Sequence, residues 1–100
     1  MYKLRLVQEI KKEYQDRFLE LEREFVALEE RDPTMPRGRR YLPVTGKEPT
    51  NTLIWEAEYE TLEEAVRMLA VMEQNEEHTA LLAEQIGCMR RTWTELYKSF

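Results

Sequence analysis

The hydrophobic period of this chain changes at Thr61, and that change constrains the fold more than any other feature. Leu53, Trp55, Ala57 and Tyr59 alternate with polar residues at the period of two of a half-buried strand. Leu62, Ala65, Val66 and Leu69, with Met72 or Val71, then take up helical spacing. Thr61 and Glu64 fit a capping box, the threonine hydroxyl accepting from a first-turn amide and the glutamate reaching back to the cap amide. A strand therefore feeds straight into a helix.

A weaker switch near Ile10 repeats the arrangement. Tyr2, Leu4, Leu6, Gln8 and Ile10 share one face of an extended segment, with Lys3, Arg5, Val7 and Glu9 on the other. From Lys11 onward, Tyr14, Phe18, Leu21, Phe25 and Leu28 form the apolar stripe of a helix of roughly 20 residues. Pro33 ends it near Arg31 and Asp32, and Pro36 and Gly38 extend the break. Arg39 to Thr45 alternates weakly, and Pro43, which cannot donate to a ladder, limits this second strand to a short or edge position. After the turn Gly46-Lys47-Glu48-Pro49, Thr52 to Glu60 completes a hairpin. Asn75 is placed to cap a short helix carrying Leu81, Leu82 and Ile86, which Gly87 ends. Met89 to Tyr97, rich in Thr, Trp and Tyr, reads as a fourth strand, with a terminal helix as the alternative.

The order β-α-β-β-α-β predicts an α+β, ferredoxin-like domain over residues 1–100, with helices on one face of a four-stranded antiparallel sheet. The first and third strands are then antiparallel neighbours, which sets Arg5 across from Glu56 or Glu58. The face away from the helices carries Thr52, Ile54, Glu56 and Glu58 beside Lys3, Arg5, Val7 and Glu9. That mixed surface suits enclosure against a second copy of the chain.

Composition narrows the function classes. With 20 acidic and 15 basic residues the net charge is -5, which argues against nonspecific nucleic-acid binding. One cysteine, Cys88, allows neither an intramolecular disulfide nor a thiolate zinc site and fits a small buried hydrophobe. No apolar run is long enough to span a membrane, and the chain opens with alternating charge, so a cytoplasmic protein without membrane contact is expected. No phosphate-binding glycine loop and no nucleophile elbow is present, which disfavours nucleophilic catalysis.

Few residues carry chemistry. His78 is the only histidine and the natural candidate for a base or ligand, although its position at a helix opening also fits an exposed or capping role. Glu56 and Glu58, two apart on one strand face, suit an acid-base pair, an oxygen-rich metal site with His78, or a charge pair with Lys3 or Arg5. Trp55 belongs to the core-facing side, where it packs or lines a ligand site. Arg37, Arg39 and Arg40, followed by Tyr41, are the one basic cluster, able to grip an anion or to decorate a solvated edge. Met68, Met72 and Met89 read as core filler.

The junction Leu53-Ile54-Trp55-Glu56-Ala57-Glu58-Tyr59, Thr61-Leu62-Glu63-Glu64-Ala65, Glu77-His78-Thr79-Ala80-Leu81-Leu82 and Arg91-Thr92-Trp93-Thr94-Glu95-Leu96-Tyr97 together resemble the dimeric α+β barrel superfamily. Within it the likeness is nearest to NIPSNAP-like and small uncharacterised bacterial proteins. The resemblance spans nearly the whole chain but rests on patterns of fold. It implies a homodimer whose sheets close a barrel, the last strand often reaching over to the partner. Its members include cofactor-independent monooxygenases, isomerases, haem-degrading enzymes and ligand-sensing domains, and fold does not choose among them. Haem-degrading members use an Asn, a Trp and a His; here Gln8 stands on the first strand and Asn51 in a loop, a departure that speaks against that activity.

Three functions follow as expectations. The first is a homodimer binding a small organic ligand, with no cofactor or metal, in the barrel or between helix and sheet, Arg5, Tyr41 and Trp55 being the ligand-contact candidates. The second is a monooxygenase or isomerase using His78 with Glu56, Glu58 or Arg5. The third is a structural or regulatory dimerisation module.

Overall fold

The computed structural model describes Met1–Phe100. The elements run β1 (Tyr2–Ile10), a 3-10 turn (Lys12–Tyr14), α1 (Gln15–Arg31), β2 (Arg39–Tyr41), β3 (Thr52–Tyr59), α2 (Leu62–Gln74), α3 (Glu76–Ile86) and β4 (Met89–Lys98). The strands form one antiparallel sheet in the order β2-β3-β1-β4. This is the ferredoxin-like arrangement, with the second helical passage divided at Asn75. No helix is long and apolar enough to cross a membrane.

Register assigns every strand residue to a face. Leu4, Leu6 and Gln8 pair with Ala57, Trp55 and Leu53 on the helix side. Lys3, Arg5, Val7 and Glu9 pair with Glu58, Glu56, Ile54 and Thr52 on the open side. From β4, Arg91, Trp93, Glu95 and Tyr97 join the open side, and Thr92, Thr94 and Leu96 the helix side. A register shift at Glu9/Ile10 inserts Arg90 as an extra residue, and both Arg90 and Arg91 reach the Glu9 carboxylate, at 3.2 and 2.8 Å.

The helix-side core divides into two clusters. Ile10, Phe18, Leu21, Leu53, Cys88 and Met89 form one, and Leu4, Leu28, Met35, Trp55 and Met72 the other. At roughly 1.5–3 kcal/mol per buried large apolar side chain, these residues supply most of the drive to fold. The stripe of α1 begins at Phe18, one turn later than the periodicity suggests. Tyr14 belongs to the 3-10 turn and is 48% exposed beside Lys11. On α2, Ala65 and Met72 are buried whereas Leu62 and Val66 face solvent, because the helix lies over β1 and β3 on a narrower seam than its apolar arc.

Local signals bound the two later helices where expected, and the second strand is shorter than the Arg39 to Thr45 alternation predicts. Thr61 Oγ1 accepts from the Glu64 amide at 3.1 Å, but the Glu64 carboxylate does not return to the cap amide, so the box is one-sided. Asn75 Oδ1 accepts from the His78 amide at 2.9 Å and starts α3. Gly87 closes α3 in a right-handed conformation, without the positive φ that makes glycine the usual choice at a helix end. The second strand stops at Tyr41, so Leu42 and Val44 lie in an exposed loop. Pro43 accounts for the stop.

Candidate functional site

The sheet divides the sequence candidates into two groups. Arg5, Glu56 and Glu58 lie on the open side; Trp55 lies on the helix side, and His78 on α3 lines a cavity there. Glu56 and Glu58 are therefore separated from His78 by the thickness of the sheet and form no acid-base set with it inside one chain. Glu56 instead forms ion pairs, its carboxylate 2.9 Å from Arg5 Nε and 3.5 Å from Lys3 Nζ, the cross-strand pairing their spacing allows. Tyr41, on edge strand β2 opposite Ile54, is 47% exposed on the open side.

That side has an unexpected apolar shelter. Val7 and Ile54 are 1% and 7% exposed within the single chain, in a hollow shared with Leu42, Pro43 and Thr45 of the loop after β2. On β4, Glu95 accepts from the Trp93 indole at 2.9 Å and the Tyr97 hydroxyl at 2.8 Å. Those two hydrogen bonds, the Trp93 one foremost, hold its pKa below the usual carboxylate range.

The helix side holds the arrangement with chemical potential. A cavity of about 170 Å³ lies between the helices and the sheet, walled by Leu6, Phe25, Trp55, Met72, Leu82 and Met89 and by polar groups of Gln8, Glu22, Glu29, Arg40, His78, Gln85, Thr92 and Thr94. Because Arg40 pairs with Trp55 in the β2–β3 register, its side chain turns to the helices while Arg39 turns away. Arg40 Nε donates to Glu22 Oε2 at 2.5 Å, and its terminal nitrogens donate to Glu29 Oε1 and Oε2 at 3.1 and 2.5 Å. Gln85 donates to Glu22 Oε1 at 2.7 Å, and the Gly38 amide to Glu29 Oε1 at 3.0 Å. Burial opposes the charge of Arg40, but the hydrogen bonds to Glu29 and the attraction of Glu22 outweigh it and raise its pKa.

His78 reaches this network through space. Its ring meets Phe25 edge-on with centroids 5.0 Å apart, and its Nδ1 is buried without a partner. Burial lowers its pKa, and the attraction of Glu29 and Glu22 only partly offsets that. The imidazole is therefore neutral near pH 7. Gln8 Oε1 is likewise buried without a partner. Tyr59, farther along β3, has its hydroxyl pKa pushed up to about 12 by burial and by Glu64 and Glu29, and it too lacks a hydrogen-bond partner.

Sequence reasoning misses Glu22, Glu29 and Gln85 as site residues. A signal was present: Glu22 and Glu29 are seven apart, each directly following a stripe residue, Leu21 and Leu28, and so border the buried face of α1. Of the basic cluster, only Arg40 enters the site; Arg37 donates to the Glu29 and Glu30 carbonyls at 3.4 and 3.2 Å and caps the end of α1.

No family model and no curated protein sequence matches this chain. Solved structures do match its fold. It is similar to a structure described as an antibiotic biosynthesis monooxygenase, with TM-score 0.75 and 19% identity over 100% of this chain and 99% of the other. A NIPSNAP family protein from Agrobacterium tumefaciens superposes with TM-score 0.79 at 12% identity, over 99% of this chain and 92% of the other. A NIPSNAP-domain protein from Burkholderia xenovorans gives 0.77 at 10% identity, over 100% and 95%. The chain thus has the ferredoxin-like α+β fold of NIPSNAP-domain and monooxygenase-like structures.

Proposed function

We propose that residues 1–100 act as one domain that binds a small organic molecule in its helix-sheet cavity and that pairs with a second copy through the open face of its sheet. The observation carrying the binding reading is the pair of buried atoms without partners, Gln8 Oε1 and His78 Nδ1, on residues lining one cavity. Buried polar atoms are nearly always hydrogen-bonded in folded proteins, and a bound molecule with polar groups would satisfy these. At about 170 Å³ the cavity lies below the roughly 300–1,000 Å³ of drug-sized sites, which restricts the ligand to a few heavy atoms or one small ring. Trp55 is then a wall of the site, whereas Arg5 and Tyr41 belong to the dimer surface.

Charge distribution permits the pairing. Lys3, Arg5, Glu56 and Glu95 largely neutralise one another within the open face, so a twofold-related copy meets a face of mixed charge without a strong excess of either sign, together with the exposed rings of Tyr41 and Tyr97. The free, buried Cys88 suits a reducing compartment, and the cytoplasm is the location we propose.

The similarity to a monooxygenase structure raises an enzymatic reading with His78 as base. The geometry favours binding over it, because no carboxylate of β3 reaches the cavity and the two of α1 that do, Glu22 and Glu29, have their oxygens engaged by Arg40, Gln85 and the Gly38 amide instead of by His78. Titration of isotope-labelled protein with small single-ring compounds tests the binding reading. Shifts are expected at the Trp55 indole, the Gln8 side-chain amide and His78; compounds that move none of these at millimolar concentration would refute it.

A further inference from the structure

We infer that the cavity takes a small protonated amine in preference to an anion, a reading that rests on the binding function proposed above. Its wall carries one guanidinium, Arg40, against two carboxylates, Glu22 and Glu29. All three nitrogens of Arg40 are engaged on those carboxylates. An arginine committed in this way has no free fork for an anionic ligand. What remains is an excess of one negative charge, on side chains that are 8% and 10% exposed and thus poorly screened by solvent. His78 is the only other ionisable group on the wall, and burial keeps it neutral near pH 7.

A second observation points the same way. Gln8 is 8% exposed, is turned to the helix side by the β1–β3 register, and lines the cavity with its Oε1 lacking any donor. The wall thus has more negative than positive charge, and one buried acceptor, Gln8 Oε1, that no donor reaches. An ammonium group supplies positive charge and a donor together, and the aromatic residues Trp55 and Phe25 line the same wall. A carboxylate ligand would bring like charge toward Glu22 and Glu29 and no donor for Gln8.

Benzylamine, benzyl alcohol and benzoate share one ring and differ in charge, and their titration into the full chain near neutral pH tests the inference. With the Trp55 and Gln8 side-chain signals as readout, benzylamine is expected to bind about tenfold or more tightly than benzoate. Glu22→Gln removes the excess charge yet keeps an acceptor for Gln85; it is expected to weaken benzylamine about tenfold more than it weakens benzyl alcohol, so that the ratio of the two affinities is the readout. Glu29→Gln serves the same purpose should Glu22→Gln fold poorly. Benzoate or benzyl alcohol binding as tightly as benzylamine would overturn the charge preference while leaving a ligand cavity in place. If none of the three moves the cavity signals, the preference and the binding reading fall together.

Discussion

Gly38 lies so close to Trp55 that a Cβ at position 38 would stand 1.9 Å from the indole Nε1 and 2.0 Å from Cε2. The glycine is required by this approach and not by its dihedral angles, since Gly46 alone has a positive φ. Its amide donates to Glu29, so one residue joins the loop, the indole wall of the cavity and the charge network.

Gly38→Ala is therefore expected to push the indole out of place and to destabilise the fold by about 1–3 kcal/mol through overpacking. Urea unfolding together with the Trp55 indole NMR signal reads this out. A variant with an unchanged midpoint and an unmoved signal would contradict the contact.

Arg40→Met should be far more damaging. It leaves Glu22 and Glu29 buried without their counter-charge, and removing one member of a buried ion cluster costs about 3–5 kcal/mol. Adding Glu22→Gln and Glu29→Gln to the same chain is expected to recover most of the loss, because Gln85 and the Gly38 amide keep acceptors. Equal stability of the single and triple variants in denaturant would show that the network is not coupled as its geometry implies.

The lowered pKa of His78 makes stability pH-dependent with a defined sign. In the unfolded chain the imidazole takes up a proton as pH falls through its ordinary value of 6.5, whereas burial in the fold resists that uptake. Its contribution is fully present above 6.5 and declines as pH falls toward the lower folded value. The stability difference between the native chain and His78→Gln should accordingly shrink on acidification, measured by denaturant midpoints across that window. A difference that grows on acidification would require a raised pKa and a partner for Nδ1.

If the open face pairs as proposed, light scattering should give twice the chain mass. Tyr41→Glu puts a negative charge on the open face opposite Ile54 and diagonal to Glu56, at a position already 47% exposed, so the protomer fold should survive while the pair dissociates. Ile54 is the less clean choice: at 7% exposure within one chain, a charge there would unfold the protomer as well. A fully dimeric Tyr41→Glu variant would remove this face from the interface.

How far each feature could be read in advance follows the range of the forces that set it. The alternation of Leu53 to Tyr59, the stripe from Phe18 to Leu28 and the caps at Thr61 and Asn75 all act within one or two turns of chain, and each appears in the structure. Which strands pair, and which face of each is buried, was also legible, but the register was not: a two-residue slip buries the same face, and only the structure sets Arg5 against Glu56 instead of Glu58. The reach of an apolar arc was less so: Leu62 and Val66 are apolar at the correct spacing and still face solvent, because burial depends on which neighbour covers them.

The site lies at the far end of that range. Arg40 is one of three nearby arginines in sequence, and only the β2–β3 register turns it, and not Arg39, toward Glu22 and Glu29. His78 and Glu56 look like partners in one dimension and are divided by a sheet in three. The amino-acid order determined the elements, their pairing and the two-faced character of the sheet, since these follow from local periodicity and the burial of apolar side chains. Which polar groups share a cavity, and what charge it carries, was decided by tertiary structure alone, because burial and the convergence of distant elements create those properties.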